Sequence, residues 1–283
     1  MFGLSQRNEL SLDESQIEDI PQINEDENKM LIDEFTEREV REAIFQMKHN
    51  KAPGPDGFPV EFYQVFWSLI KDDLMAMFRE FHLDNLPLFN LNFGTICLIP
   101  KQKEVKQVQQ YRPICMLNVS FKIFTKVLAN RLTAVADRIV RQSQTAFMPG
   151  RNILEGAIVL HETIHELHKR KKAGVILKLD FEKAYDKVSW SFVQQTLRMK
   201  GFSPTWCKWI EEVVSRGSVG IKVNEETGCN FQTRKGLRQG DPLSPILFNL
   251  VADMLAILVL RAKNSGQFRG LVPNLVDEGL SIL

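Results

Sequence analysis

The segment 175–186 constrains the fold of this chain most, and it reads VILKLDFEKAYD. Residues 175–179 form a mostly apolar run, which predicts a short strand covered on both faces. Asp180 stands at the end of that strand, where a rigidly held carboxylate would suit Mg²⁺. Tyr185 follows five residues later and is placed to wall a pocket beside the metal. An ordinary strand with a polar exit turn explains the same residues equally well, so the segment alone leaves both interpretations open.

The composition is that of a globular protein with one large or two smaller domains. The chain has 283 residues, of which 44% are hydrophobic and 25% charged. Residues 1–50 carry 13 acidic and 5 basic side chains, whereas the whole chain has a net charge of +1. The remainder is therefore basic, which suits a polyanionic partner without establishing one.

The four cysteines and the absence of long apolar runs indicate an intracellular setting. No Cys-x-x-Cys pair occurs, which argues against a zinc knuckle or a disulfide scaffold and fits a reducing compartment. No signal peptide opens the chain, and the apolar stretch 254–260 is too short to span a membrane. We therefore expect no membrane partner, and the sequence leaves nuclear and cytoplasmic locations open.

Local patterns predict a helix-rich chain with a few short strands. Residues 1–33 are acidic and weakly periodic, which is typical of a linker or a loosely held arm. Thr36 and Glu39 form a capping box ahead of a helix. Further helices are predicted over 61–82, 122–141, 152–172 and 245–261, and further strands over 95–99, 219–223 and 230–233.

Several loops combine proline, glycine and a basic or polar side chain. They are KAPGPDG at 51–57, LIPK at 98–101, YRPI at 111–114 and GLRQGDPLSP at 236–245. Proline fixes backbone angles and glycine permits close approach, so such loops can hold a ligand. Lys101 and Arg112 each set a cation beside a stiffened backbone, as a phosphate clamp would need. Taken singly, each loop is explained equally well as a turn, a surface charge or a helix entry.

In their order along the chain, these segments resemble the reverse transcriptase domain of non-LTR (LINE-type) retrotransposons. The resemblance covers about residues 35–283 and also includes QTAFMPGR at 144–151 and LKLDFEKAYDKVSW at 177–190. It implies an α/β (α+β) right-hand polymerase fold, helix-rich with a small antiparallel palm sheet. The fingers would span 34–172 and a partial palm 173–283, with residues 1–33 outside the domain.

The resemblance also implies a role for individual residues. Asp180 matches the first palm carboxylate, and the Phe181 carbonyl can join it on the metal, where two Mg²⁺ ions would act in the complete enzyme. Lys101 and Arg112 match positions that hold the incoming deoxynucleoside triphosphate. Tyr185 matches the aromatic gate that clashes with a ribose 2′-hydroxyl. Gln239 and Gly240 match the loop lying against the template and the nascent base pair. RNA template, DNA primer and deoxynucleoside triphosphates are the implied partners.

The same resemblance exposes a gap in the metal site. Members of the family carry a Tyr/Phe-Ala-Asp-Asp turn shortly after the segment that corresponds here to 276–283, and this sequence contains no such turn. We therefore expect a fragment that lacks the thumb and the end of the palm, with an incomplete metal site and no polymerase activity alone. Basic helix residues, among them Lys122, Lys126, Arg131, Arg138 and Arg141, are expected to face template phosphates.

Two alternatives remain open at this point. The first is a non-catalytic nucleic-acid-binding remnant of such a domain. The second is a zinc peptidase, because His161, Glu162 and His165 match His-Glu-x-x-His on a predicted helix. A third zinc ligand has no clear candidate in the sequence.

Overall fold

The computed structural model describes residues 12–271 except residues 216 and 225, and its fold is mixed α/β. The described helices are α1 Glu25–Ile32, α2 Glu37–Gln46, α3 Val60–Val65, α4 Trp67–His82, α5 Val119–Ile139, α6 Ile153–Lys169, α7 Ala184–Lys187, α8 Trp190–Met199, α9 Pro204–Val214 and α10 Ser244–Asn264. The described strands are β1 Phe93–Pro100, β2 Tyr111–Leu117, β3 Ser218–Val223, β4 Glu226–Thr227 and β5 Phe231–Gln232. The helix-rich α/β class expected from the sequence is confirmed.

One small sheet joins the two halves of the chain. β1 pairs with β2 as an antiparallel hairpin and with β3 in parallel, and β3 also pairs with β4 and β5. The sheet is therefore mixed rather than wholly antiparallel. Parallel pairing of β1 with β3 is possible because all the helices from α5 to α9 lie between them in the chain.

The core is built around α5, which is buried over most of its surface. Thirteen of its 21 residues are buried, as expected for a helix without a distinct polar face. An aromatic cluster packs against it, with the rings of Phe78 and Phe124 stacked at 4.1 Å. Phe81 contacts both Phe124 and Trp209, with ring centroids 5.5 and 5.2 Å apart. The core thus links α4, α5 and α9.

Helix boundaries follow local chemistry where the sequence shows it. The capping box predicted at α2 is confirmed, because the Thr36 hydroxyl accepts from the Glu39 amide at 3.2 Å and the Glu39 carboxylate from the Thr36 amide at 2.7 Å. The helix predicted over 61–82 is interrupted at Phe66, whose φ of −95° and ψ of 17° separate α3 from α4. The sequence patterns do not predict the helices α1, α7, α8 and α9 or the strands β2 and β4.

The described part of the acidic N-terminal segment, residues 12–33, is packed against the rest of the protein. Ile20, Ile23 and Leu31 are buried. The amide of Ile23 donates to the Lys200 carbonyl at 2.8 Å. The interpretation of this segment as a loosely held arm therefore needs correction for residues 12–33, because buried apolar side chains anchor it.

Four arginines pair with acidic side chains from the first 39 residues. Arg131 is buried and binds both carboxylate oxygens of Glu39, at 2.7 and 2.9 Å. The other three pairs are Arg138 with Glu27, Arg198 with Glu14 and Arg261 with Asp19. The expectation that Arg131 faces template phosphates is wrong, because its side chain is buried and bound within the protein. The Arg138 side chain is 47% exposed, so the same expectation for Arg138 stays a prediction.

The strand predicted over 175–179 is absent. Residues 172–181 form no regular structure, and Val175 and Leu177 are 87% and 78% exposed. A strand needs a hydrogen-bonded neighbour, and no other segment that the structure describes pairs with this one. The prediction of a strand over 175–179 is therefore wrong, because an apolar β-like pattern forms a strand only where a neighbouring strand pairs with it.

α10 is the one described helix whose length and composition would suffice to cross a membrane. Its mean hydropathy is 1.9 over an 18-residue window, of which 44% is buried inside the protein. Buried Asn249 and Asp253 hydrogen bond to other segments, with Asp253 accepting from Lys200 Nζ at 2.7 Å. These contacts are those of a core helix.

Candidate functional site

A tight turn after the exposed segment presents Tyr185. Lys183 adopts a left-handed conformation with φ of +54° and leads into α7. The Tyr185 ring stacks on Phe248 of α10 at 4.9 Å and an interplanar angle of 12°. Burial raises the pKa of the Tyr185 phenol. The ring is therefore a neutral, fixed wall.

The loop 236–241 is bonded directly to that turn. The amide of Leu237 donates to the Tyr185 carbonyl at 2.8 Å, and the amide of Gly236 donates to the Val188 carbonyl at 2.8 Å. Gly236 has a φ of +92°, and a Cβ there would lie 2.9 Å from the Asp186 carbonyl oxygen. Only glycine fits this position without displacing the turn.

The other side of the loop lies on β2. The amide of Cys115 donates to the Gln239 carbonyl at 2.9 Å. Gly240 has a φ of +114°, and a Cβ on it would meet the Cys115 carbonyl oxygen at 2.7 Å. The predicted site residues Tyr185, Gln239 and Gly240 are thus held together by backbone contacts between three segments that are distant in sequence.

A narrow cleft of about 20 Å³ lies where the three segments meet. Its lining includes Pro113, Cys115, Asp186, Arg238 and Gln239. Burial raises the pKa of the Cys115 thiol to about 11, so the thiol is neutral. Burial also raises the pKa of the Asp186 carboxyl, although Lys183 opposes the shift. A cleft of this size holds about one water molecule, so it is a notch and not a preformed pocket for a nucleotide.

Lys101 and Arg112 lie together at the tip of the β1–β2 hairpin. Arg112 stands opposite Ile99, and the Lys101 amide donates to the Gln110 carbonyl at 2.9 Å, which places Lys101 opposite Gln110. Both cations therefore share one face of the hairpin as diagonal neighbours. Strand alternation directs Arg112 away from Pro113 and Cys115, so the two cations do not line the cleft itself.

Asp180 and Phe181 lie in the exposed segment, apart from the cleft. Phe181 is 56% exposed, and Asp180 is exposed as well. Among residues 12–271, apart from 216 and 225, no three His, Cys, Asp or Glu side chains are grouped so as to hold a metal ion. The described residues therefore do not fit a complete two-metal site, and Asp180 is its single assigned carboxylate.

The positions of the histidines do not support the zinc peptidase alternative. His161, Glu162 and His165 lie on exposed positions of α6. The described part of the chain groups no third ligand with them. Two exposed histidines one helical turn apart do not make a structural or catalytic zinc site.

Sequence reasoning missed three residues that shape the cleft. Asp186 and Cys115 line it, and Asn92, which is wholly buried, is bound to Arg238 in the loop. Asp186 and Cys115 lie inside or beside recognised motifs but carry no distinctive local pattern. Asn92 stands in none of the motifs, so only the tertiary structure could reveal it.

Comparison with known proteins gives a consistent result. The family model described as reverse transcriptase (RNA-dependent DNA polymerase) matches residues 99–267. The chain is 28% identical over 248 residues to the transposon TX1 uncharacterized 149 kDa protein of Xenopus laevis, covering 87% of this chain and 19% of that protein. It is 29% identical over 221 residues to the Pol polyprotein of the retrotransposable element R2DM of Drosophila melanogaster, covering 78% of this chain and 20% of that one. The chain thus spans about a fifth of the length of these relatives.

A solved chain described as part of a partial Cas6-RT-Cas1–Cas2 complex is similar at 16% sequence identity and a TM-score of 0.46. The likeness covers 83% of this chain and 35% of that one, and it is too low to support a structural argument. The family match alone covers more than half of the chain. Reverse transcriptases as a family act on an RNA template and a DNA primer and use divalent metal ions. With a family match of this extent, and with relatives that are non-LTR retrotransposon proteins, the chain belongs to the reverse transcriptase (RNA-dependent DNA polymerase) family.

Proposed function

We propose that this chain forms the fingers, residues 34–172, and part of the palm, residues 173–283, of the RNA-directed DNA polymerase of a LINE-type retrotransposon. The observation that carries the proposal is the convergence of three family motifs on one cleft. The carbonyls of Tyr185 and Gln239 accept from Leu237 and Cys115 at 2.8 and 2.9 Å, which locks the turn, the loop and β2 together. Such preorganisation is what a template-dependent polymerase needs to position its substrates.

In this proposal, Gln239 and Gly240 lie against the template and the nascent base pair. Tyr185, held by Phe248, excludes a ribose 2′-hydroxyl by contact with its ring. Lys101 and Arg112 hold the triphosphate of the incoming deoxynucleotide, Arg112 as a bidentate donor and Lys101 as a point charge.

Mg²⁺ is the cofactor we propose, with Asp180 and the Phe181 carbonyl among its ligands. When bound, such ions would supply charge stabilisation for phosphoryl transfer. The described residues provide one exposed carboxylate for this purpose and no metal-binding group of three. We therefore expect the 283-residue polypeptide to bind its substrates without extending a primer. Extension of a DNA primer on an RNA template by the purified chain would contradict this expectation.

The triphosphate clamp is tested by measuring binding of a radiolabelled deoxynucleoside triphosphate to the chain on a primed RNA template. Lys101→Ala and Arg112→Ala should each weaken binding about tenfold, since each removes a hydrogen bond to a charged group. Lys103→Ala, which changes another exposed lysine in the same hairpin connection, should leave the affinity unchanged. Wild-type affinity in both variants, or an equal loss in Lys103→Ala, would contradict the assignment.

A non-catalytic nucleic-acid-binding protein is the second candidate. The exposed Asp180 and the lack of a metal-binding group among the described residues favour it. The two candidates are separated by a longer polypeptide that continues this chain through an Ala-Asp-Asp turn. Primer extension by that polypeptide would favour the polymerase. Primed-template binding without extension in that longer chain would favour the binding protein.

A further inference from the structure

The loop that carries Gln239 and Gly240 is anchored from behind by Arg238. Its guanidinium donates through Nη2 to the Val213 carbonyl at 2.8 Å and through Nη1 to the Asn92 side-chain oxygen. The guanidinium carbon also lies 5.0 Å from the centre of the Phe121 ring. One side chain therefore ties the loop to the end of α9, to the residue before β1 and to α5.

The side chain of Asn92 is held in the orientation that accepts a hydrogen bond from Arg238. It is wholly buried, and its amide nitrogen donates to the Val213 and Ser215 carbonyls at 3.1 and 3.0 Å. These two bonds fix the orientation of the amide, so that its oxygen faces Arg238. Gly217 leaves the space that the pair needs, because a Cβ there would lie 3.1 Å from Arg238 Nη1 and 3.2 Å from the Asn92 oxygen.

The guanidinium of Arg238 is engaged by partners within the protein, and the residue also lines the cleft. Desolvation lowers the pKa of Arg238, while Asp241 and Cys115 oppose the shift. The Asp241 carboxylate is itself occupied at the start of α10, where it accepts from the Leu243 amide at 3.2 Å and the Ser244 hydroxyl at 3.0 Å. Asp241 is therefore committed to the helix start, and Asn92 and Val213 provide the direct contacts of Arg238.

We propose that Arg238, with Asn92, is a positioning residue that sets the distance of Gln239 and Gly240 from β2 and hence the contact of these two residues with the template base. The proposal rests on the proposed function, because it assumes that Gln239 and Gly240 touch the nascent base pair. Loss of the anchor would free the loop on the side opposite Cys115. The loop would then be held only by its backbone hydrogen bonds to Cys115, Tyr185 and Val188 among the contacts described above.

The chain offers a matched control for the substitution of Arg238. Arg131 is another arginine that stacks on a phenylalanine, with its guanidinium carbon 4.2 Å from the centre of the Phe35 ring. It also donates to main-chain carbonyls, those of Leu31, Asp33 and Glu34. It holds the N-terminal segment and has no contact with the loop. Arg131→Lys should therefore lower stability without altering the template contact.

The test uses the 283-residue chain and a primed RNA template with 2-aminopurine at the position opposite the incoming nucleotide. Fluorescence of the 2-aminopurine reports contact of the loop with the base, and anisotropy of a label on the distant duplex end reports overall affinity. Arg238→Lys and Asn92→Ala should weaken the 2-aminopurine response about tenfold, the cost of one lost hydrogen bond to a charged group. Overall duplex affinity should change much less, and Arg131→Lys should leave the response intact. Hydrogen exchange at the Cys115 amide should quicken in the two anchor variants.

The outcomes separate this inference from the proposed function. A wild-type response that survives Gln239→Ala contradicts the proposed contact of Gln239. A response lost in Gln239→Ala but retained in both Arg238→Lys and Asn92→Ala contradicts the anchor alone. An equal loss of the 2-aminopurine response in Arg131→Lys would mean that the Arg238 variant acts only by lowering the overall stability of the protein. That result would overturn the inference. If Arg238→Lys does not fold, Asn92→Ala, which leaves the loop sequence intact, decides the matter.

Discussion

At the scale of single residues, Gly240 makes the closer backbone approach of the two glycines in the loop 236–241. We expect Gly240→Ala to destabilise the loop by about 1–3 kcal/mol, since the left-handed conformation disfavours a side chain. The added Cβ would also lie 2.7 Å from a main-chain oxygen, which cannot rotate away. Gly156→Ala is the control. Gly156 lies within α6, and a Cβ added there would meet no atom within 4 Å. Chemical denaturation measures both, and equal stabilities of the two variants would contradict the account.

The same scale shows what sequence can and cannot reveal about a site. Tyr185, Gln239 and Gly240 were predicted because each lies in a motif with its own proline, glycine or aromatic pattern. Asn92 and the buried pair of Lys200 with Asp253 were not, because their partners are distant in sequence and no local pattern marks them. The Nζ–Oδ2 distance of that pair is 2.7 Å, and both side chains are fully buried. Burial of this kind is decided by tertiary packing, which one sequence does not display.

At the scale of elements, the acidic segment 12–33 should detach in acid before the core unfolds. The pKa values of the Glu14, Asp19 and Glu27 carboxyls are lowered, mainly because each accepts hydrogen bonds from an arginine. The donors are Arg198, Arg261 and Arg138, respectively. Carboxyls with a lowered pKa stabilise the fold above their ordinary values, near pH 4, and lose that contribution as the pH falls through the lowered values. Hydrogen exchange, corrected for its intrinsic pH dependence, should therefore lose protection in α1 at a higher pH than in α5. A simultaneous loss in both helices would contradict the prediction.

Element prediction succeeded where one helix face or cap decides the structure and failed where pairing decides it. The capping box of α2 and the long apolar helices α5 and α10 follow from local sequence. The segment 175–179 has the pattern of a strand, yet Val175, Leu177 and Leu179 are exposed because strand formation depends on a neighbour. The helices α8 and α9 are not predicted from the sequence, although each has a distinct buried face. On α9 this face includes Trp206 and Trp209.

At the scale of the whole molecule, the order of the motifs along the chain indicates the fold class. The resemblance to non-LTR reverse transcriptases that rests on these motifs agrees with the family match. What the series did not indicate is the internal use of charge. The acidic N-terminus neutralises arginines that composition suggested were free for nucleic acid, so the basic surface is smaller than the sequence implies. The remaining exposed cations include Lys101 and Arg112 at the hairpin tip.

The most direct test of the central claim is a salt titration of the wild-type chain against a labelled DNA primer annealed to an RNA template. Anisotropy would give the dissociation constant at each salt concentration. Because the proposed interface contacts phosphates through lysine and arginine, the logarithm of the association constant should fall linearly with the logarithm of the salt concentration. The slope should reach about −0.7 to −0.9 for each phosphate contacted. An absence of binding at low salt, or an affinity indifferent to salt, would contradict the account.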